Sequence, residues 1–460
     1  MEAVYRGRGY GLLGICRREM GLSQPRTFAR QISASEGIVK QIDLYGKLNG
    51  HEGFVNTVEF NSTGDLLVSG SDDRQVMIWN WAMKGLKLSY HSGHLEEILH
   101  TRIMPFTDDR KIVTCSADGQ VRLGLVMEHG KVETKTIGRH QGSVHNLAVE
   151  PGSPDILFSC GEDGFVQRYD LRSNSATKLF CCSSFTENEQ KCLSPIKLYS
   201  IVIDPRNPNY FAVGGTDKYA RVYDIRKYQW GVSTNLGRPV NTFYPRPGIP
   251  DPDVQITGLA YSNTSELLVS YNDDLIYLFQ KNMGMGPDPS SASSEDLQED
   301  PQVYLGHRNA KMVKRVSFFG PNDEFVMSGS DCWHIFIWKK KGGELVRLMV
   351  DDEDIASTLE PHPHMPVLAT CGLENNVKLW APMSNDVLPL PQDVDEIMES
   401  NRQDREHHLS TRQALTDSEE DDVESEEELD EDEAAYIIGL SYYYHFGEGS
   451  TGNSADCNIN

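Results

Sequence analysis

One recurring segment constrains the fold of this chain more than any other feature. Leu66-Leu67-Val68-Ser69-Gly70-Ser71-Asp72-Asp73-Arg74-Gln75-Val76-Met77-Ile78-Trp79 has relatives ending at Gly124, Tyr169, Tyr223, Phe279, Trp338 and Trp380, spaced 45, 45, 54, 56, 59 and 42 residues apart. Each copy reads as a strand, a tight turn of small or acidic residues, and a second strand ending on a large ring. Only Gly124 breaks the last rule. A histidine precedes four copies at a steady distance: His51 by 28 residues, His94 by 30, His140 by 29 and His307 by 31. Between histidine and ring the chain places Val55, Val58 and Phe60 on a strand and then turns at Ser62-Thr63-Gly64-Asp65. Apolar runs of period 2, broken by turns every ten residues, mean consecutive antiparallel strands. Four strands per forty-odd residues, seven times over, predict an all-β chain folded as a seven-bladed β-propeller.

The remaining sequence falls into place around that ring. Residues 39–44, with Ile42 and Leu44, form a short strand-like piece ahead of the first histidine, a candidate to close the ring and remove its exposed edge. Residues 181–194, 228–253 and 281–300 are polar, proline-rich or serine-rich, and read as insertions that lengthen three of the spacings. This divides the chain into a basic N-terminal arm at 1–37, the propeller at 38–388, and a disordered tail at 389–460. The arm carries six arginines and two acids in its first 35 residues. That composition also suits an organelle transit peptide, without the apolar core of a secretory signal. The tail contains thirteen acids among the seventeen residues 417–433, leaving −12 of the −25 net charge for the rest of the chain. A segment so charged cannot collapse into a core. Thr416, Ser418 and Ser425 each have an acid three residues later, the pattern preferred by acidophilic kinases.

Several function classes are set aside on composition. Phosphate neutralisation needs clustered Lys and Arg, so direct nucleic-acid binding is not expected. No apolar run approaches the ~18 residues of a membrane helix. Nine cysteines, an odd number without a C-x-x-C pair, suit a reducing compartment, the nucleus or the cytoplasm. Gly9-Tyr10-Gly11-Leu12-Leu13-Gly14 fits G-x-G-x-x-G, but neither the preceding strand nor the following helix and acidic residue that a dinucleotide site requires is expected around it. His362 and His364 stand two apart with no third donor at ligand spacing, and the surrounding prolines read as a rigid turn. No metal, cofactor or catalytic constellation is expected, and the chain reads as a non-enzyme.

The repeats resemble those of WD-repeat proteins across residues about 40 to 385. In that family the histidine, a strand serine, the turn aspartate and the terminal tryptophan form a hydrogen-bonded tetrad, which the resemblance places at His51, Ser69, Asp73 and Trp79. It implies that the buried imidazoles are satisfied within their blades. Blades six and seven carry Cys332 and Glu374 at the turn-aspartate position, so those turns are expected to be less well braced. Trp333, in the same tight turn, is expected either to disturb blade six or to lie exposed.

Two blade ends, Tyr169-Asp170-Leu171-Arg172 and Tyr223-Asp224-Ile225-Arg226, share an aromatic-Asp-x-Arg box. An arginine there either pairs within its own blade or offers a planar fork to a partner. These boxes resemble the docking signature of WD-repeat substrate receptors of cullin-4 ubiquitin ligases. Phrases such as Val55-Asn56-Thr57-Val58, Ser270-Tyr271-Asn272-Asp273 and Leu359-Glu360-Pro361-His362-Pro363-His364 resemble the factor-eight subgroup, whereas residues 436–460 resemble no family we can place. The resemblance implies adaptor contacts at Asp170, Arg172, Asp224 and Arg226. It makes the partners the adaptor damaged-DNA-binding protein one with cullin-4, together with an unidentified protein substrate. Basic proteins such as histones are further candidates for the acidic tail. Family receptors also insert a helical segment ahead of the ring into the adaptor. Residues 25–37, with Phe28 and Ile32 on one helical face, have that placement. The competing class is a general interaction scaffold in a nuclear or chromatin complex.

Overall fold

A computed structural model describes residues 12–22, 24–184, 195–228, 237–245, 254–289, 300–310, 313–350 and 355–418. Seven four-stranded antiparallel sheets follow one another, six of them built from four consecutive strands. Blades one to six span 55–91, 98–139, 144–181, 198–243, 256–304 and 316–350. Blade seven takes three strands from 356–382 and its fourth, Ile42–Asn49, from the start of the ring. That closing strand corrects the 39–44 expected at both ends: Val39 ends a short helix, and the strand begins at Ile42 and runs on to Asn49. It pairs Leu44 with Trp380 and Leu48 with Val377, and Arg347 Nε of blade six donates to the Ile42 carbonyl at 3.2 Å. The seven-bladed propeller expected from the repeat is the observed fold.

The apolar alternation explains where the core sits. Seven buried clusters lie among the described residues, and each is shared by two neighbouring blades. Leu48, Val55, Trp79 and Val367 join blades seven and one, for instance, and Phe158, Phe211 and Tyr223 join blades three and four. No blade encloses a core of its own, so each sheet is stabilised by the two sheets it packs between. Gly124, lacking the large ring, is explained the same way: the Tyr90 hydroxyl of blade one stands 2.6 Å from where its Cβ would be.

Antiparallel order gives the ring two distinct ends. Turns between second and third strands share one end with the links between blades. Turns between first and second, and between third and fourth, share the other. Blade one's second-to-third turn is shaped by Asp73, whose Oδ1 accepts from the Gln75 amide at 2.8 Å. In blades one to three the residue after the turn aspartate is left-handed: Arg74 in blade one, and glycine in blades two and three, at Gly119 and Gly164. Trp333 takes the corresponding position in blade six at φ +62° and is 48% exposed, while the four strands of that blade stay intact. The strain is confined to the turn.

First strands adjoin one another around the middle of the ring and line its channel. Charged side chains fill the channel. Arg102 Nη1 donates to Glu59 at 2.9 Å. Arg315 of blade six reaches across to the Leu99 carbonyl of blade two at 3.1 Å. Glu360 of blade seven suffers burial first, then feels the attraction of Arg102 and the repulsion of Glu59, and its carboxyl is pushed up to about 8.

Among the described residues the α-helices lie outside the blades: α1 (Leu12–Glu19), α2 (Pro25–Ser33), α3 (Glu36–Val39) and α4 (Val394–Ser418), while single 3-10 turns at Ile225–Lys227 and Lys281–Met283 follow the third strands of blades four and five. The last corrects an expectation. Residues 389–460 were expected to be a disordered tail, yet α4 is helical and its first half packs on the ring, with Leu390, Val394, Ile397 and Met398 against the core of blades five and six.

Two measurements test this account. Leu48, 1% exposed in the closing strand, should cost about 2–5 kcal/mol when cut to alanine, read by denaturant unfolding. A loss no larger than at an exposed leucine would mean the closing strand does not hold the ring. Glu360 holds its proton in the folded state up to about 8, whereas the unfolded carboxyl releases it near 4.3. Folded protein therefore binds more protons through that window, and stability falls as pH rises from about 4.3 to 8. Glu360→Gln should flatten the fall of melting temperature over that range. An unchanged slope would exclude Glu360 as its source.

Candidate functional site

The end carrying the second-to-third turns holds the tetrads. In blade one His51 Nδ1 lies 2.8 Å from Asp73, its Nε2 lies 2.7 Å from Ser69 Oγ, and Trp79 Nε1 donates to the same hydroxyl at 2.9 Å. Blade two repeats this with His94, Asp118 and Thr114, and blade three with His140, Asp163, Ser159 and the Tyr169 hydroxyl. Burial raises the Asp118 carboxyl, but the His94 ring and the amides of Leu95 and Gln120 overcome it and hold the group at about 2. These three imidazoles each have both ring nitrogens committed to bonds, as befits bracing rather than catalysis. His362 and His364 likewise contact backbone carbonyls, of Gly64 at 2.9 Å and Ser62 at 3.1 Å.

Blades four to seven solve the bracing problem differently. Asp217 pairs with the buried Arg221, and Glu374 lies 3.0 Å from the buried Lys378. The turn at Glu374 is thus braced, by a lysine of its own blade. Asp273 of blade five meets an imidazole from outside the ring: His408 of α4, at 3.0 Å. In blade six the tetrad is dismantled. Trp338 Nε1 donates to the Leu305 carbonyl rather than to a strand hydroxyl. His307, fully buried, has neither ring nitrogen bonded among the described residues. The expectation that every buried imidazole is satisfied by its blade fails here, because Cys332 replaces the carboxylate. Burial, and then the positive charges of Arg405 and Lys314, hold His307 down to about 3. The blade is braced from α4 instead. Asn401 Nδ2 donates to the Gly306 carbonyl at 2.8 Å and to Cys332 Sγ at 3.1 Å, and Arg308 pairs with Asp404 at 2.7 Å.

Third strands run to the opposite end, and so do both aromatic-Asp-x-Arg boxes. They fold alike. The Asp170 carboxylate accepts from the Arg172 amide, Nε and Nη2 at 3.0, 3.1 and 3.0 Å, and Asp224 accepts from Arg226 at 3.0, 2.9 and 2.7 Å. Pairing within the blade and exposure to solvent therefore coexist: the aspartate fixes one edge of each guanidinium, while the arginine side chains stay 68% and 60% exposed. The Arg172 bond, chiefly, holds Asp170 down to about 2.

The N-terminal arm docks on the same end at blade six, two blades from the nearer box. Arg30 of α2 donates to the Pro321 carbonyl at 2.9 Å and Asn322 Oδ1 at 3.1 Å, and Glu36 of α3 pairs with Lys339 at 3.0 Å. Phe28 and Ile32 fall inside α2, as the spacing predicts, and both are partly exposed. Thr416 and Ser418 lie in the last turn of α4, whereas Ser425, nearly all of the acidic run 417–433, and residues 436–460 lie outside the described residues.

Tetrads in three blades and a ring closed by its own N-terminal strand define a WD-repeat β-propeller. Residues 42–80 and 299–339 match the model of the WD domain, G-beta repeat. Along 296 residues, 63% of the chain, it is 30% identical to "DDB1- and CUL4-associated factor 6" of Mus musculus, covering 33% of that protein. It is also 30% identical over 301 residues to "WD repeat protein iqw1" of Schizosaccharomyces pombe and 28% over 295 residues to human "WD and tetratricopeptide repeats protein 1", covering 37% and 42% of them. The chain thus spans between about a third and two fifths of these relatives. The likeness to a DDB1- and CUL4-associated factor stands on sequence, and the WD-repeat ring on sequence and fold together.

Proposed function

We propose that this protein is a non-catalytic substrate receptor that binds the adaptor damaged-DNA-binding protein one and presents a protein for ubiquitination by a cullin-4 RING ligase, in the nucleus or cytoplasm. The observation that carries the reading is the pair of boxes. Arg172 and Arg226 sit on adjacent blades at one end of the ring, each pre-oriented by its own aspartate and each exposed. A fork held in one orientation loses less freedom when it meets a carboxylate or carbonyl. Similarity to a factor whose name couples it to the same adaptor supports the same reading. The narrower likeness to the factor-eight subgroup belongs to this proposal.

Replacing both arginines by alanine should leave the melting temperature near that of the parent, because neither side chain packs in the core. Co-purification with the adaptor should fall roughly a hundredfold, since truncating one side of a desolvated charge contact is costly. A folded double variant that retains the adaptor in full overturns the proposal.

The arm supplies a second, separable test. Arg30 and Glu36 pin it to the ring by exposed contacts, whereas Val39 is fully buried between blades six and seven. Deleting residues 1–36 should therefore weaken adaptor binding while sparing the ring. Undiminished affinity would remove the arm from the contact, and mass spectrometry showing its removal from the mature protein would mark it as a targeting segment.

A further inference from the structure

Contacts between α4 and blades five and six change character along the helix. Val394, Ile397 and Met398 pack into the core, and Met398 fills the space beside Gly306, whose φ of +101° and missing Cβ make room for it. From Asn401 onward the named contacts are polar. They recur at the spacing of one helix face: Asn401 to Gly306 and Cys332, Asp404 to Arg308, Arg405 to the His307 carbonyl at 3.3 Å, and His408 to Asp273. Asp404 is 47% exposed, so its pair with Arg308 is open to water and screened by salt, whereas Asn401 and the Asp273 end of the His408 pair are buried.

On the ring side, the seat is larger than its occupant. Leu305 and Trp333 remain 52% and 48% exposed, although their neighbours Gly306 and Cys332 both bond Asn401. Two large apolar side chains thus border a row of complementary groups: a carboxylate, a guanidinium, two carbonyls and a thiol.

We propose that this surface of blades five and six is a helix-binding site. In this view α4 occupies it reversibly as an internal competitor. A protein partner docks there with a helix carrying an amide, a carboxylate, a guanidinium and an imidazole at the spacing of α4, and with apolar residues beside them to cover Leu305 and Trp333. The site lies on the end of the ring opposite Arg172 and Arg226, so it stands or falls independently of adaptor binding.

The test uses the full chain and a labelled peptide of residues 394–411. Apparent affinity for a covered site is reduced by the fraction of time it is uncovered. Asp404→Lys with His408→Glu sets α4 against Arg308 and Asp273, and should tighten peptide binding by about tenfold or more over the parent protein. Adding Arg308→Glu should abolish that binding, and a peptide with Asp404→Arg should restore it. In the unaltered protein, amides of 397–408 should exchange with solvent about a hundredfold faster than those of the Phe325–Gly329 strand. Three results overturn the proposal: a folded double variant with parental peptide affinity, a double variant that cannot fold, or exchange in α4 as slow as in the strand. Each would make the helix a fixed part of the ring or the seat no site at all.

Discussion

The pairing of Ile42–Asn49 with Asn376–Pro382 is the contact on which the rest of the ring depends. Each blade shares its core with both neighbours, so no blade can be completed before the circle is. Without the closing strand, the last blade would end on an open edge. The clusters joining blades six, seven and one would lose Ile42 and Leu48 together. Closure also fixes the position of the arm, because Val39 is anchored in the core immediately before the strand begins. A strand taken from the chain's own beginning therefore does two jobs, sealing an edge that would otherwise pair with other molecules and setting where α2 and α3 emerge.

A second constraint repeats around the ring. Each second-to-third turn places a polar or acidic group close to the core, and such a group must find a donor or a cation. Blades one to three answer with histidine, blade four with Arg221 and blade seven with Lys378. Blade five takes His408 from α4. Blade six gives up the carboxylate, leaves His307 neutral, and gains Asn401. Its buried Lys314 and Asp331 pair with each other beside that turn, so the charge next to the missing tetrad is still balanced. Five chemical solutions serve one geometric requirement, which is why the ring stays regular while its motifs do not.

This also explains what could be read in the sequence. The count of blades was legible because strand alternation and the terminal ring are local signals, repeated at each copy. The two boxes were legible because aspartate and arginine stand two residues apart, and their shared geometry follows from that spacing. Closure was legible in existence but not in bounds, since Val39 is as apolar as the strand that follows it and the half-open stretch from Asp43 to Lys47 lacks a clean alternation. Helix α4 was missed because its ring-facing stripe turns polar after Met398, and a polar stripe beside an acidic run looks like solvated chain. The correction at His307 was out of reach for a related reason: the group that stands in for its brace, Asn401, lies 94 residues further on. Gly124 was seen as an anomaly, but its cause, Tyr90, belongs to the blade before.

Strand order alone separates the two ends of this propeller, and the chain has equipped them differently. One end presents Arg172 and Arg226, oriented by neighbours two residues away, together with an arm pinned by Arg30 and Glu36. These groups are fixed by local covalent geometry or by short contacts, so they are ready before any partner arrives. The other end carries the turns, an exposed tryptophan in a left-handed turn, and a helix held partly by screened charges. A surface assembled from residues far apart in sequence is the easier one to rearrange, because opening it breaks no strand. Under the proposed function, rigid attachment at one end and adjustable capture at the other need no hinge within the ring itself. The propeller achieves that division by connectivity, with its stiff core lying between the two.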